Sequence, residues 1–267
     1  MRTGHADVGG DAAIEPPAMM IVAVGAAVAP VHAEPRAASE QVTQSLAGHL
    51  VTVIEARDGW RRVRLADGYE GWMHEGYLDA HTESVAGARL SLGCTVRDTA
   101  SGMERALPFG ARVLRRANIV AGEAIADDER PRRFPAEGLS IASSAKRWFF
   151  GASYQWGGIT PWGADCSGMV QAVFALHGVP LPRDARQQAE LGTHLLLSHE
   201  GWRAGDLLFF SERADGRITH VALVAEPGEL MHVAIGRGGF AVEHPFEAPD
   251  SYAVALMGRL REARRVL

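Results

Sequence analysis

One cysteine stands where a thiol can act as a nucleophile. Cys166 lies in Gly163-Ala164-Asp165-Cys166-Ser167-Gly168, shortly after the aromatic, glycine-rich stretch Tyr154-Gln155-Trp156-Gly157-Gly158. From the cysteine onward, Met169, Val170, Val173 and Phe174 recur at helical spacing, and Gly178 and Pro180 mark where that helix should stop. Cys166 therefore heads a helix, with Asp165 and Ser167 supplying capping oxygens. A helix N-terminus carries partial positive charge and unpaired N–H groups, which favour a thiolate. Those N–H groups can also receive the oxyanion formed when sulfur attacks a carbonyl. The plainer alternative is a buried structural cysteine, the commoner role of a lone thiol.

Two histidines downstream decide between these readings. Residues 218–224 and 230–235 read as strands carrying His220 and His232, with Glu226-Pro227-Gly228-Glu229 as the turn between them. Side chains alternate faces along a strand, so register decides whether the rings meet. A three-residue loop at 225–227 sets them directly opposite. A loop at 226–228 sets them diagonally on one face. A four-residue loop without a bulge puts them on opposite faces. Joint chemistry thus requires an odd loop or a bulge. With that register, His220 serves Cys166 as general base and acid, either as a thiolate–imidazolium pair or by taking the thiol proton, and His232 orients the His220 ring. The chain holds 11 histidines, so two ordinary strand histidines are the competing account. A zinc site of two histidines and a cysteine is another; the helix-start position of Cys166 fits a nucleophile better. No metal and no cofactor are expected.

The whole chain sets bounds on what it can be. It has 267 residues and a net charge of -5, which points to no electrostatic partnership with nucleic acid. The two cysteines, Cys94 and Cys166, are too far apart for a zinc motif and too few for a disulfide framework. No stretch is long enough to span a membrane. The apolar run 19–29, followed by 29–33, has the look of a signal segment with a cleavage-like site. Yet Asp7, Asp11 and Glu15 precede it against Arg2 alone, and Pro16-Pro17 abuts it, where an export signal carries a basic region. The expectation is a cytoplasmic monomer; export by the 19–33 segment is the alternative.

The elements that must position the chemistry fall into blocks. Residues 1–17 read as a loosely attached tail. Residues 18–82 carry short strands split by Asp58-Gly59 and Asp67-Gly68 turns, which predicts a small all-β barrel with Trp60 and Trp72 in its core. Residues 83–137 contain strand-like stretches at 90–96 and 112–116, with Pro108-Phe109-Gly110 as a turn, and predict a second, degenerate barrel with Cys94 as a small buried hydrophobe. Residues 127–133 read as a solvated linker. Residues 138–267 open with a helix at 139–150, capped by Ser140 or Ser143, and continue through the Cys166 helix to an apolar strand at 207–210 and the two histidine strands. The class is α+β.

These motifs, taken together, resemble a known family. Gly59-Trp60, Gly68, Gly71-Trp72 and Tyr77-Leu78 follow the order of a bacterial SH3-like domain. Tyr154 to Gly158, Asp165-Cys166-Ser167-Gly168, Arg183, Gln188, Gly205-Asp206, His220-Val221-Ala222-Leu223 and Met231-His232-Val233 resemble the NlpC-type, papain-like cell-wall cysteine peptidases. The resemblance implies a helix bundle packed on an antiparallel sheet, preceded by two small SH3-like β-barrels. It implies Cys166 as nucleophile, His220 as base, His232 as its orienting partner, and Tyr154 near the oxyanion. It implies hydrolysis of the γ-D-glutamyl–diamino acid bond, with meso-diaminopimelate or L-Lys in third position, in peptidoglycan stem peptides. A subgroup of similar layout requires a free N-terminal L-Ala and releases L-Ala-γ-D-Glu for murein-peptide recycling. For that subgroup the resemblance implies Asp184, Ser167, Tyr69 and Glu40 as substrate-binding residues; Ala185 departs from the usual Ser. The alternatives are a wall-peptide-binding module with an inactive catalytic domain, and a papain-like acyltransferase.

Overall fold

The computed structural model describes residues 20–79, 87–99, 101–115, 117–247 and 249–267. The expected tail at 1–17 lies outside the described residues.

Short, β-branched runs separated by tight turns build the first unit. Seven strands, β1 (Met20–Val24), β2 (Val28–His32), β3 (Gln41–Leu46), β4 (Leu50–Arg57), β5 (Trp60–Arg64), β6 (Glu70–His74) and β7 (Leu78–Asp79), form one sheet in the order β3-β2-β6-β5-β4-β1-β7. Arg57 pairs with Trp60 across the two-residue loop Asp58-Gly59, where φ is 45° and 81°. Positive φ at both positions matches the twist of the strands, and Asp-Gly reaches it cheaply. The sheet closes on Val22, Val24, Ala29, Val31, Val51, Val63 and Met73. Trp60 and Trp72, expected in that core, are only half-buried. Trp60 instead lies edge-on between the His32 and His74 rings, at centroid distances of 5.5 and 5.4 Å.

The middle of the chain is simpler than a barrel. β8 (Arg89–Arg97), β9 (Glu104–Val113) and β10 (Asn118–Ile125) make a three-stranded antiparallel sheet in the order β10-β8-β9. Pro108-Phe109-Gly110 is not a turn: it lies inside β9. Pro108 lies between the Cys94–Leu107 and Leu92–Phe109 pairs, and the register shifts just beyond it, between the Leu92–Phe109 and Leu90–Arg112 pairs, where Gly110 takes a φ of 91°. Cys94 is buried, as expected, and shares a cluster with Leu46 and Ala47 of the first unit and with Val96, Leu107 and Val113. The linker at 127–133 contains a one-turn helix, α1 (Arg130–Arg133).

The C-terminal unit sets two helices on a sheet. α2 (Gly138–Phe149) precedes the short pair β11 (Ile159–Thr160) and β12 (Gly163–Ala164), and α3 (Cys166–Leu176) follows at once. Then come α4 (Ala185–Gln188), β13 (Thr193–His194), β14 (Leu207–Phe210), β15 (His220–Glu226), β16 (Glu229–Ala234), β17 (Gly239–Glu243), α5 (Ser251–Met257) and β18 (Leu260–Arg265). The sheet order is β13-β18-β14-β15-β16-β17, antiparallel throughout. One face packs Val221, Leu223, Met231 and Val233 against Ile141 and Phe149 of α2 and Met169, Val173 and Phe174 of α3. Ala222, Val224 and Leu230 on the other face meet Leu256 of α5 and Trp202. The N-cap of α2 is Glu137, not a serine, and its side chain makes no capping bond. Among the described residues no helix is long and apolar enough to cross a membrane.

The start of α2 is a tight fit. A Cβ at Gly138 would lie 1.7 Å from the Ala204 carbonyl oxygen. Gly138→Ala should destabilise the protein by about 2 kcal/mol, and so lower the apparent Tm by roughly 4–8 °C. Thermal melts of the two proteins check this; an unchanged Tm would show that the 203–205 turn yields freely.

Candidate active site

Asp165 fixes the head of α3. Its backbone is extended (φ -103°, ψ 179°), and its Oδ1 accepts the Gly168 N–H at 2.8 Å. Its Oδ2 accepts the Gly157 N–H at 2.9 Å, which ties the aromatic loop to the helix start. Both oxygens also accept from Arg183, Nη2 to Oδ2 at 2.6 Å and Nη1 to Oδ1 at 3.1 Å. Arg183 donates further to Ser167 Oγ at 2.9 Å and to Thr43 Oγ1 of β3 at 2.9 Å. The ion pair is buried on both sides. Ser167, expected to bind substrate, thus has its hydroxyl engaged in this network, where it also donates to Asp165 at 3.3 Å.

Cys166 is buried at 8% exposure. Burial pushes its thiol up to about 12, and the neighbouring Asp165 charge adds to the rise. The Val221 and Ser167 N–H groups approach the sulfur and pull the other way, as the helix start should, but they do not win. The helix-terminus argument for a resting thiolate therefore has the right sign and too little weight. At rest this is a thiol.

The histidine register is set by one bulge. Glu226 pairs with Glu229 across the two-residue turn Pro227-Gly228, and the register shifts between Val224 and Glu226, so that Val224 faces Leu230 and Leu223 faces Met231. Continued along the strands, that register puts Ala222 opposite His232 and places His220 diagonally on the same face. His220 Nε2 and His232 Nδ1 are 2.8 Å apart. Burial, then the His232 partner, lowers the His220 pKa to about 3, so this ring is neutral at rest. The two rings lie on the face that carries α5, near Phe210 and Tyr252. Sulfur and imidazole come to the same end of β15: Val221, whose N–H approaches the sulfur, directly follows His220. No sulfur–imidazole hydrogen bond is made in this structure; catalytic hydrogen bonds are often long before substrate arrives.

Sequence reasoning missed the group behind His232. His232 Nε2 lies 3.1 Å from Glu243 Oε1 on β17. Arg237 grips the same carboxylate, Nε to Oε1 at 2.7 Å and Nη2 to Oε2 at 2.6 Å, and also bonds Asp250. The findable signal was the alternation of β17, which sets Ala241 and Glu243 on one face.

The barrel supplies the opposite wall. Tyr69 donates its hydroxyl to Asp184 Oδ1 at 3.3 Å. Burial, then the Asp184 charge, raises the Tyr69 pKa to about 12, with Glu40 a smaller contributor, so it remains a phenol. Glu40 is exposed and accepts the Trp156 indole N–H at 2.8 Å, while Gln41 Nε2 donates to the Trp156 carbonyl at 2.8 Å. Tyr154 is half-buried, with its pKa raised to about 12 by burial and then by the Cys166 and Asp165 charges. Its backbone N–H is held by the Gly238 carbonyl at 3.0 Å. The structure thus groups Tyr69, Asp184 and Glu40, sets Tyr154 near Cys166, and pairs His220 with His232, with the sulfur and the His220 backbone at the same end of β15. A cleft of about 490 Å³ between barrel and middle sheet, lined by Val24, Val96, Leu107 and Arg112, holds none of these residues. Among the described residues no cluster of His, Cys, Asp and Glu has the makings of a metal site.

Comparison with known proteins finds two matching stretches. Residues 151–253 match the NlpC/P60 family, and residues 31–78 match the bacterial dipeptidyl-peptidase SH3 domain. Residues 151–253 thus carry an NlpC/P60 domain. The first sheet carries the SH3 match. A gamma-D-glutamyl-L-lysine dipeptidyl-peptidase of Bacillus subtilis is 43% identical over 86 residues, 32% of this chain and 28% of that protein. A protein of the same name from Bacillus cereus is 25% identical over 233 residues, 73% of this chain and 68% of its own length. The chain therefore spans little more than a quarter of the first relative and about two thirds of the second. The crystal structure of an NlpC/P60 family protein from Bacillus cereus has a TM-score of 0.75 and 18% identity, over 93% of this chain and 100% of that one. That likeness shows a shared fold.

A neutral pair has a measurable consequence. The base form of His220 is the neutral ring, and burial lowers its pKa, so the base survives as pH falls through 6.5. The acid limb of kcat/KM should lie well below 6.5, and alkylation of Cys166 by iodoacetamide should keep rising above pH 8. An acid limb at or above 6.5, or alkylation already on a plateau at neutral pH, would contradict the neutral pair.

Proposed function

We propose that this chain is a cysteine endopeptidase that cleaves the γ-D-glutamyl–diamino acid bond of peptidoglycan stem peptides bearing a free N-terminal L-Ala, and so releases L-Ala-γ-D-Glu. The observation that carries this reading is the acidic wall of Asp184, Tyr69 and Glu40, built jointly by barrel and catalytic domain. A carboxylate there is suited to a substrate ammonium and offers nothing to an acylated terminus. The names of the Bacillus relatives, which are dipeptidyl-peptidases for a gamma-D-glutamyl bond, support it.

The chemistry follows from the residues. The thiol proton passes from Cys166 to His220 as sulfur bonds the γ-carbonyl carbon of D-Glu. The oxyanion forms near the start of α3, where the Tyr154 phenol is a proton-bearing donor. Collapse expels the amine of the diamino acid, which takes the proton from His220 and leaves a thioester. Water, giving its proton to His220, then hydrolyses that thioester and returns the thiol. The diamino acid is meso-diaminopimelate or L-Lys. A requirement for a free amine confines the enzyme to peptides already released from the glycan, which is a recycling role. A monomer suffices, since both walls of the site come from one chain.

A cytoplasmic location belongs to the same proposal. Most of the apolar N-terminal run is built into β1 and β2, where Val22, Val24, Ala29 and Val31 fill the barrel core. Cleavage after residue 33 would remove both strands. Recovery of activity in the cytosolic fraction supports this; an exported chain shortened at its N-terminus would refute it.

One substrate pair tests the function. L-Ala-γ-D-Glu-L-Lys and L-Ala-γ-D-Glu-diaminopimelate should be cut to release the dipeptide, and their N-acetylated forms should not. Cys166→Ala should abolish turnover. Asp184→Asn should raise KM about 30-fold or more for the free amine, the lower end of the cost of truncating one partner of a charge pair. Equal cleavage of acetylated and free peptides would sink the amine-recognition argument, and cleavage of neither would sink the peptidase.

A further inference from the structure

His232 alone is a poor guide for His220, because a neutral imidazole has two tautomers and only one is useful. His220 reaches His232 through Nε2, which leaves its Nδ1 as the nitrogen available to the thiol. That Nδ1 can take a proton only if the ring's own hydrogen sits on Nε2. Then His220 donates, and His232 Nδ1 must be bare to accept. What holds His232 in that form has to act on its other nitrogen.

Glu243 is placed to do so. It is 3% exposed, and its Oε1 lies 3.1 Å from His232 Nε2. Burial alone would raise its pKa, but the His232 and Arg237 hydrogen bonds outweigh burial and hold it at about 2. A carboxylate accepts and cannot donate, so the His232 hydrogen is drawn to Nε2. Arg237 fixes the carboxylate with two bonds, and is itself held by Asp250 and by the Tyr252 ring 4.3 Å from its guanidinium carbon.

We propose that Glu243, clamped by Arg237, is a positioning residue that sets the tautomers of both histidines in series, so that His220 presents a bare Nδ1 to Cys166. It touches no reacting atom. This rests on the cysteine-peptidase reading of the site, but its first test does not use activity.

That test is a long-range ¹H–¹⁵N spectrum of the ¹⁵N-histidine-labelled wild-type protein at pH 7, with the two rings assigned through His220→Asn and His232→Asn. The expected pattern has both neutral rings carrying hydrogen on Nε2 and a bare Nδ1. Hydrogen on Nδ1 in either ring, or a doubly protonated His232, overturns the proposal. Glu243→Leu should give a mixed or reversed His232 tautomer and lower kcat about 10- to 100-fold, with KM for L-Ala-γ-D-Glu-L-Lys within about twofold, as for other groups that orient a catalytic or ligating histidine. Glu243→Gln, whose Oε1 can still accept from His232, should recover most of that kcat. Wild-type kcat in Glu243→Leu, or an equal loss in both variants with unchanged tautomers, overturns it as well. If Glu243→Leu does not fold, the wild-type spectrum and Glu243→Gln decide. If no peptide is turned over, the spectra still decide.

Discussion

The Asp165–Arg183 pair is the constraint on which the rest of the structure depends. Two buried charges are costly unless geometry and hydrogen bonding offset their desolvation. Here they do so in full view: Asp165 accepts from Gly157, Ser167, Gly168 and twice from Arg183, and Arg183 reaches Thr43 as well. Those bonds join the loop before the nucleophile, the helix behind it, the segment that leads to Asp184, and a barrel strand. Breaking one side would strand the other charge, at a cost of about 3–5 kcal/mol. The network therefore admits one arrangement of four segments. The SH3 domain is not an appendage in it; its third strand is part of what fixes the helix that carries Cys166.

The sequence was most legible where chemistry is local. The Asp-Cys-Ser-Gly start of α3, its apolar stripe and its Gly178 end all follow from adjacent residues, and the Asp58-Gly59 hairpin follows from one dipeptide. The histidine register was legible as a condition and not as an outcome. The requirement for an odd loop or a bulge could be stated in advance, but the bulge at Ala225 beside the two-residue Pro227-Gly228 turn is decided by tertiary packing of β15 between β14 and β16. Pro108-Phe109-Gly110 misled because turn-forming residues also tolerate a bulge inside a long strand. Tyr69 and Asp184, 115 positions apart, have no mutual signal in the chain; only the docking of barrel on catalytic domain brings them together. Glu243 was overlooked for the same reason. Its significance lies in sitting diagonally across from His232 on the next strand; the alternation of β17 marks the face it lies on but not the partner it meets.

The balance between helix and burial also had to be seen in three dimensions. A helix start stabilises a thiolate by its partial charge, which is worth about 0.3–1 kcal/mol when exposed. Removing a thiolate from water costs far more, and Asp165, needed as cap and as partner of Arg183, adds a negative charge next to the sulfur. The outcome is a thiol and, at the same end of β15, a neutral imidazole, each held uncharged by its burial. A pair of this kind separates charge only when something in the site supports both ions at once.

For the proposed reaction, that sets a requirement on the substrate. A carbonyl carbon seated against the sulfur lets the proton leave as the new bond forms, so no free thiolate need be populated. The developing negative charge then moves from sulfur to oxygen, away from Asp165 and toward the helix N–H groups and the Tyr154 phenol. The positive charge moves onto His220, whose far nitrogen meets His232 and, through it, the Glu243 carboxylate. Each charge thus appears where the fold has an opposite dipole or charge waiting, and neither appears before the substrate has filled the gap between helix and strand. In the absence of substrate the thiol stays protonated and shielded, which guards it against oxidation, since the ladder of cysteine oxidation starts from exposed thiolates.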